Sequence, residues 1–386
     1  MAIHFRSCLL LALVTALTLV PALVKFAAGE APNDVVAFMA TSRLIHDHAG
    51  VGLYRPDEIR AAQNAFGAMG NGWMPWAYPP FASLLSALYP TGRSAMPVVL
   101  ILQGLAMLWL ALRCARTVPD PKAFLVVSAP LIAIANLSGQ PSFIVVLIAY
   151  LLVVRFSPVA GVAWLAVVKP HLAVGPAVAL LREGGWRSGM QLACIVALAS
   201  IGGLLAVSAL AGAEPLAMFE AWRQASRRML DYVSAVGFPL PRFVSPYAML
   251  RTLAVPHALA IAGAGVIAVA ALGMVLRAKP GQRLALGFAA ALLTTPYIYD
   301  YDAGVLLVGL ALASRHAGTD LINRYGIAVM FNAVSGYLCL FALPQLGISA
   351  PFNPAPVLTA WVILGLAGML PREGRVLAET SAAKGR

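Results

Sequence analysis

Long apolar runs alternate along the chain with shorter stretches rich in Gly, Pro and charge. A helix needs roughly 17–25 apolar residues to cross a hydrocarbon core of ~30 Å. Backbone groups in lipid must find partners within their own segment, so such runs are helices. The pattern predicts spanning helices near 8–28, 94–114, 123–138, 141–154, 189–212, 255–276, 283–296, 303–314, 325–343 and 355–370. Two further runs, Pro158 to Val168 and Leu172 to Leu181, are shorter. At about 1.5 Å per residue each reaches only half of the core. Arg155 precedes the pair, and Arg182 and Arg187 follow it. That arrangement predicts a re-entrant-like hairpin with Lys169-Pro170-His171 at its apex. The expectation is an all-α, polytopic membrane protein of about twelve hydrophobic helices, with both termini cytoplasmic.

Two outer segments interrupt the pattern, residues 29–93 and 213–247. The first is long for a loop and carries Phe38, Tyr54, Phe66, Trp73, Trp76 and Tyr78, which argues for structure. Within it, Val35 to His46 is expected to lie on the membrane surface as an amphipathic helix. No stretch is long and polar enough for a separate soluble domain, so residues 1–386 read as one integral membrane domain.

Composition agrees. Hydrophobic residues make up 61% of the chain, charged residues 11%, and mean hydropathy is +0.83. Soluble domains carry about a quarter charged residues. The net charge of +12 raises the question of a nucleic-acid partner. In the expected topology, however, the cytoplasmic loops and ends hold sixteen basic residues against five acidic ones, while the outer side is balanced. That is the positive-inside asymmetry, and no nucleic acid is expected. Cys8, Cys114, Cys194 and Cys339 have no CxxC partner and fall in or at the ends of apolar runs, as small buried residues do. The first apolar run exceeds a usual signal-peptide core and reads as a retained helix.

Candidate chemistry gathers around the outer segments and the hairpin. Asp34, just beyond the first helix, is positioned to be a general base at the membrane boundary, or to cap a helix starting at Val35. Tyr78, in Trp76-Ala77-Tyr78-Pro79-Pro80, and Gln140, after Gly139, also read as an interfacial belt and a helix end. A lysine at membrane depth is costly and marks function, which singles out Lys169 and, beside it, His171. Arg223, Arg227 and Arg228 have helical spacing near Trp222 and could hold a phosphate or face headgroups. Tyr299, Asp300 and Asp302 could bind a sugar or anchor at the interface. Asp300-Tyr301-Asp302 has a spacing known from metal sites, although it lies outside any polar outer loop.

In order and together, these pieces resemble glycosyltransferase family 87, membrane transferases of the GT-C fold that include polyprenol-phosphate-mannose-dependent mannosyltransferases. The resemblance rests on Asp34, Gly52-Leu53-Tyr54-Arg55-Pro56, Tyr78-Pro79-Pro80, Gly139-Gln140, Ala160-Gly161 leading to Lys169-Pro170-His171, and Thr295-Pro296-Tyr297. It spans residues 34 to about 302. Members of the family often carry a histidine in the junction where this chain has Tyr299-Asp300-Tyr301-Asp302. The resemblance implies an inverting transfer at the outer face, of mannose, another hexose or a pentose, and the alanine-rich composition suggests that the membrane is a bacterial inner (plasma) membrane. The donor would be a polyprenyl-phosphate sugar, and the acceptor a glycolipid or other glycan in contact with membrane lipid. Asp34 would be the base. Lys169 first, then His171, Arg223, Arg227 or Arg228, would stabilise the departing phosphate. A single phosphate leaving group does not require a metal, and no cofactor is expected. The rival readings are a multi-helix transporter, which commonly binds at the bilayer midplane, a polysaccharide polymerase or ligase, and a structural membrane subunit.

Overall fold

The computed structural model of the chain describes residues 5–27, 29, 33–67, 74–234, 240–296, 298–317, 321–346 and 353–368. Trp73, Tyr297 and both chain termini lie outside these residues, and with them the sidedness expected for the ends. Among the described residues the fold is all-helical. The one strand-like feature among them is an isolated bridge between Phe243 and Tyr299.

In chain order the helices are α1 (Phe5–Ala27), α2 (Asn33–His46), α3 (Pro56–Ala65), α4 (Pro80–Ser86), α5 (Met96–Ala115), α6 (Pro121–Ser138), α7 (Ser142–Arg155), α8 (Pro158–Val168), α9 (Pro170–Ala211), α10 (Pro215–Ser234), α11 (Pro246–Thr252), α12 (His257–Arg277), α13 (Arg283–Ala290) and α14 (Gly304–Ala317). Then α15 (Leu321–Tyr337) passes through a π turn at Leu338–Ala342 into α16 (Leu343–Gln345), and α17 (Ala355–Gly368) follows. Proline opens many of them, since it lacks the N–H that a first turn leaves unpaired. Four stretches, Arg93–Ala115, Pro121–Ser138, Pro170–Ala211 and His257–Arg277, are long and apolar enough to cross a membrane. The outward faces of α5, α9 and α12 carry exposed Leu102, Trp109, Leu198, Ile201, Val266 and Val269. An apolar face of that extent is consistent with a lipid-embedded protein.

The hairpin expected around Lys169 is present. Ser157 caps α8 by accepting the Ala160 N–H. Lys169 (φ −139°, ψ 73°) breaks the helix, and α9 starts at Pro170. Helix α9 is not straight. Gly185 sits at φ 63°, ψ −160°, a left-handed conformation that glycine adopts without a Cβ penalty, and the helix kinks there. The 42 residues therefore act as two helices, a short inner arm back from Lys169 and a longer lipid-facing arm. This matches the two runs expected there.

The first outer segment differs from its expectation. Helix α2 does not lie on a surface: Val35, Val36, Met39, Ala40, Thr41 and Ser42 are all buried. Its first half, Val35-Val36-Ala37-Phe38-Met39-Ala40, has no polar face to offer water, and a helix apolar all round is buried. With α3 and the adjoining ends of α1, α5, α9 and α10 it builds a second core around Phe38, Leu53, Ile59, Phe66, Trp76 and Val207. The outer segment is thus a folded cap on the helical bundle.

The junctions sort to two ends. Asp120, Glu183, Gly281 and Arg315 meet neighbours at one: Asn323 donates to Asp120 (3.0 Å), Arg315 to the Thr117 carbonyl, and the Gly281 N–H to Glu183. Helices α6, α14 and the inner arm of α9 run from that end to the other, where Gln140, Asp302 and Lys169 lie under the cap.

Candidate functional site

Four hydrogen bonds set the walls under the cap. The Gln63 amide pairs with both backbone groups of Met74, donating at 2.6 Å and accepting at 2.8 Å. Trp76 donates its indole N–H to Ser83 Oγ (2.8 Å), and the Tyr54 hydroxyl donates to the Tyr78 carbonyl (3.0 Å). Residues 74–79 are therefore held in a fixed extended path, with the Tyr78 ring stacked obliquely on Trp76 at 4.8 Å. Tyr54, part of the Gly-Leu-Tyr-Arg-Pro motif, has a positioning role: it holds Tyr78.

From the bundle side, the helix break brings Lys169 into the same region. Its ammonium is buried and donates to Ser142 Oγ and to Asp302 Oδ1 (2.6 Å). Tyr301 and Tyr78 present their rings to it, with centroids at 5.2 and 6.0 Å. His171, two residues on, places Nε2 3.7 Å from Asp302 Oδ2, too far for a hydrogen bond, and that nitrogen has no hydrogen-bond partner among the described residues.

A second pair lies beside the first. Arg242 grips Asp300 through Nε (3.2 Å) and Nη2 (2.9 Å), and donates to Ser138 Oγ at 3.0 Å. Its guanidinium packs on the rings of Tyr337 (4.8 Å), Tyr299 and Tyr301 (both 5.7 Å). A charge buried in this way persists only when paired and hydrogen-bonded, and both pairs meet that condition. Asp300 and Asp302 are thus each matched to their own cation. Among the described residues there is no group of three or more His, Cys, Asp or Glu placed to hold a metal.

Asp34 sits inside the first turn of α2, which begins at Asn33, and its side chain is buried. No hydrogen bond or ion pair holds its carboxyl among the described residues. Burial pushes the group up to about 7, against the lowering pull of Arg242 and Lys169 and with the raising push of Asp300 and Asp302. For Asp302 burial acts upward too, but Lys169 and His171 outweigh it and hold the carboxyl at about 2. Neighbouring carboxyls are in this way driven in opposite directions, an arrangement common at sites of acid–base chemistry.

Between cap and bundle is a cavity of about 340 Å³ walled by Tyr78, Lys169, His171, Trp222, Tyr299, Tyr301 and Asp302, with Met74, Val168 and Met229 on its apolar side. Asp34 is not in its wall but lies within electrostatic range of the same four charges. Gln140 lies near Tyr78, and its Oε1 is buried with no hydrogen-bond partner among the described residues. Gly139 before it, at φ 67°, ends α6 as a left-handed C-cap. Tyr78, Gln140, Lys169, His171, Tyr299, Asp300 and Asp302 are therefore brought together, with Asp34 beside them.

The three arginines of α10 are not. Trp222, Ser226 and Met229, at i, i+4 and i+7, form the stripe that faces the cavity. Arg227 and Arg228 fall on the exposed face, and Arg223 is paired with Glu220 (2.6 Å) on the same helix. Sequence reasoning missed Arg242. The signal for Arg242 is slight: one arginine amid Leu240-Pro241 and Phe243-Val244, an apolar context that a solvated arginine would not need. No protein-family model, characterised protein or solved structure matches the chain.

Proposed function

We propose that the protein is an inverting membrane glycosyltransferase of the family 87 type, moving a hexose from a polyprenyl phosphate to the hydroxyl of a glycolipid or glycan at the outer face. In this reading the GT-C-like bundle of about twelve helices sits in a bacterial inner membrane with both termini cytoplasmic. The observation that carries it is Asp34, raised to about 7, lying beside a cavity walled by aromatic rings, Lys169 and His171. Aromatic faces suit the apolar faces of a sugar ring, and a carboxylate poised near neutrality suits a general base.

The acceptor oxygen forms a bond to the anomeric carbon as the bond from that carbon to the phosphate oxygen breaks. The acceptor's proton passes to Asp34, and polyprenyl phosphate leaves with the electron pair. Asp34 is 5% exposed, so acceptor binding must open a path to it. Lys169 is already committed to Asp302 and Ser142, which leaves His171, a residue that lines the cavity and whose Nε2 has no hydrogen-bond partner among the described residues. In this mechanism His171 meets the departing phosphate and Lys169 acts behind it through Asp302.

The test is transfer of radiolabelled polyprenyl-phosphate mannose to a membrane glycolipid extract in nanodiscs, comparing wild type with Asp34→Asn at matched folded amounts. Transfer by wild type alone supports both the reaction class and the base. Equal transfer by both removes Asp34 from the mechanism. A buried ion pair at a helix break is also what a transporter carries, so uptake of labelled sugar into sealed vesicles without covalent transfer would replace the enzyme reading.

A further inference from the structure

At the end of the bundle away from the candidate site, a second cavity of about 470 Å³ opens beside the kink in α9. Its walls are Val153, Leu180, Leu284 and Leu312, from α7, α9, α13 and α14. Its rim is polar and carries both signs: Glu183 and Ser188 flank the kink, and Arg315 and His316 lie at the end of α14. Gly281 lies between them. Its N–H is bonded to Glu183, and a Cβ built there would meet the His316 ring at 3.7 Å. Glu183 uses Oε1 in that bond, so Oε2 is not engaged by it. Arg315 gives one N–H to the Thr117 carbonyl and keeps further donors.

The surroundings place this notch at the level of lipid headgroups. Trp186 is 74% exposed and Phe156 80%, and large aromatics stand out from a membrane protein mainly at the interface. Arg155, Arg182 and Arg187 flank the same level. One to three turns further along α9 the exposed residues become Met190, Ile195 and Leu198, as on a lipid-facing surface.

We propose that this notch binds one aminophospholipid of the bilayer. The ammonium sits on Glu183, the phosphate on Arg315 and His316, and the first part of an acyl chain lies along Val153, Leu180, Leu284 and Leu312. A purely anionic headgroup would set its charge against Glu183. A quaternary ammonium has no N–H to give to that carboxylate. Only a headgroup with both a primary ammonium and a phosphate satisfies both sides of the rim. This inference is independent of the reaction proposed for the other end.

The experiment is native mass spectrometry of the full chain released from detergent after titration with phosphatidylethanolamine, phosphatidylcholine or phosphatidylglycerol of the same acyl chains. Thermal melts with each lipid provide a second readout. Wild type is expected to retain phosphatidylethanolamine about tenfold over phosphatidylcholine, the worth of one charged hydrogen bond. Glu183→Gln keeps an acceptor for the Gly281 N–H, so the turn survives while the preference falls to near unity. Arg315→Ala is expected to lower retention of all three lipids. Equal retention of the three by wild type, or a preference that survives Glu183→Gln in protein melting as wild type does without lipid, overturns the proposal.

Discussion

Lys169 and Asp302, 133 residues apart in sequence, meet at 2.6 Å with 3% and 2% of their side chains exposed. The contact closes the bundle against the start of α14, since Lys169 is the break between α8 and α9 and Asp302 ends the turn that leads into α14. Its geometry has a direct energetic consequence. Removing one partner leaves a buried charge uncompensated, which costs on the order of 3–5 kcal/mol, whereas replacing both with apolar groups of similar volume is near neutral. Lys169→Met and Asp302→Leu are each expected to lower the melting temperature in detergent strongly, and the double variant to recover most of the loss. A double variant no more stable than the worse single one would show that the pair does not act as a unit.

Asp34 makes a prediction of opposite sign. Its carboxyl, raised from 3.8 to about 7, stays protonated in the folded protein between those values while it ionises in the unfolded chain. The folded state is therefore favoured at low pH, and that stabilisation is lost as pH rises through 7. The rise corresponds to roughly 4 kcal/mol at full effect. Asp34→Asn is expected to melt like wild type below about pH 4 and above it at pH 8. A melting difference independent of pH would mean that the buried carboxyl is not what Asn relieves. Under the proposed reaction, wild-type transfer should also fall as pH drops below about 7, as the base becomes protonated.

What could be read from the sequence was what local chemistry decides. The shortness of Pro158–Val168, with a lysine and a proline after it, forces a break at membrane depth, and Lys169 is where it falls. Gly139, left-handed at the end of α6, was legible for the same reason. The burial of α2 follows from Val35 to Ala40, an unbroken apolar run with no polar face for water, which outweighs the surface placement that a membrane boundary suggests. Arg242 was not legible, because its role is a contact with Asp300, 58 residues away, and with Ser138, 104 away. The α10 arginines misled because helical spacing shows that residues share a face without saying which face. Trp222 points inward, and that turns Arg227 and Arg228 out.

The inner arm of α9 meets α13 backbone to backbone. A Cβ on Gly175 would stand 2.2 Å from the Gly287 carbonyl oxygen, so Gly175→Ala must push the two helices apart. Overpacking of this kind costs about 1–3 kcal/mol. At Gly202, on the other arm, a Cβ meets nothing within 4 Å, and Gly202→Ala should be neutral or stabilise by about 0.5–1 kcal/mol. The two alanine variants are expected to shift the melting temperature in opposite directions. A matched shift would mean that α9 and α13 slide freely. Because Lys169 leads directly into this arm, Gly175→Ala should also lower transfer, and Gly202→Ala should leave it unchanged.

Arg242 and Arg223 separate a buried charge contact from a surface one. Arg242 gives Asp300 two donors in a fork, gives Ser138 a third contact, and lays its guanidinium on Tyr337. Lysine keeps the charge but has neither the fork nor the flat face, so Arg242→Lys breaks several contacts at once around a carboxylate that is fully buried. Arg223 pairs with Glu220 one turn away, with 41% and 43% of the two side chains exposed. Exposed pairs of that kind contribute little to stability, and Arg223→Lys keeps most of even that. Arg242→Lys should therefore lower the melting temperature clearly while Arg223→Lys leaves it within error, and added salt should change neither difference much, since the larger one is buried. Equal melting of the two variants would mean that Asp300 draws its stability from elsewhere, and Arg242 would then be free to move toward the cavity.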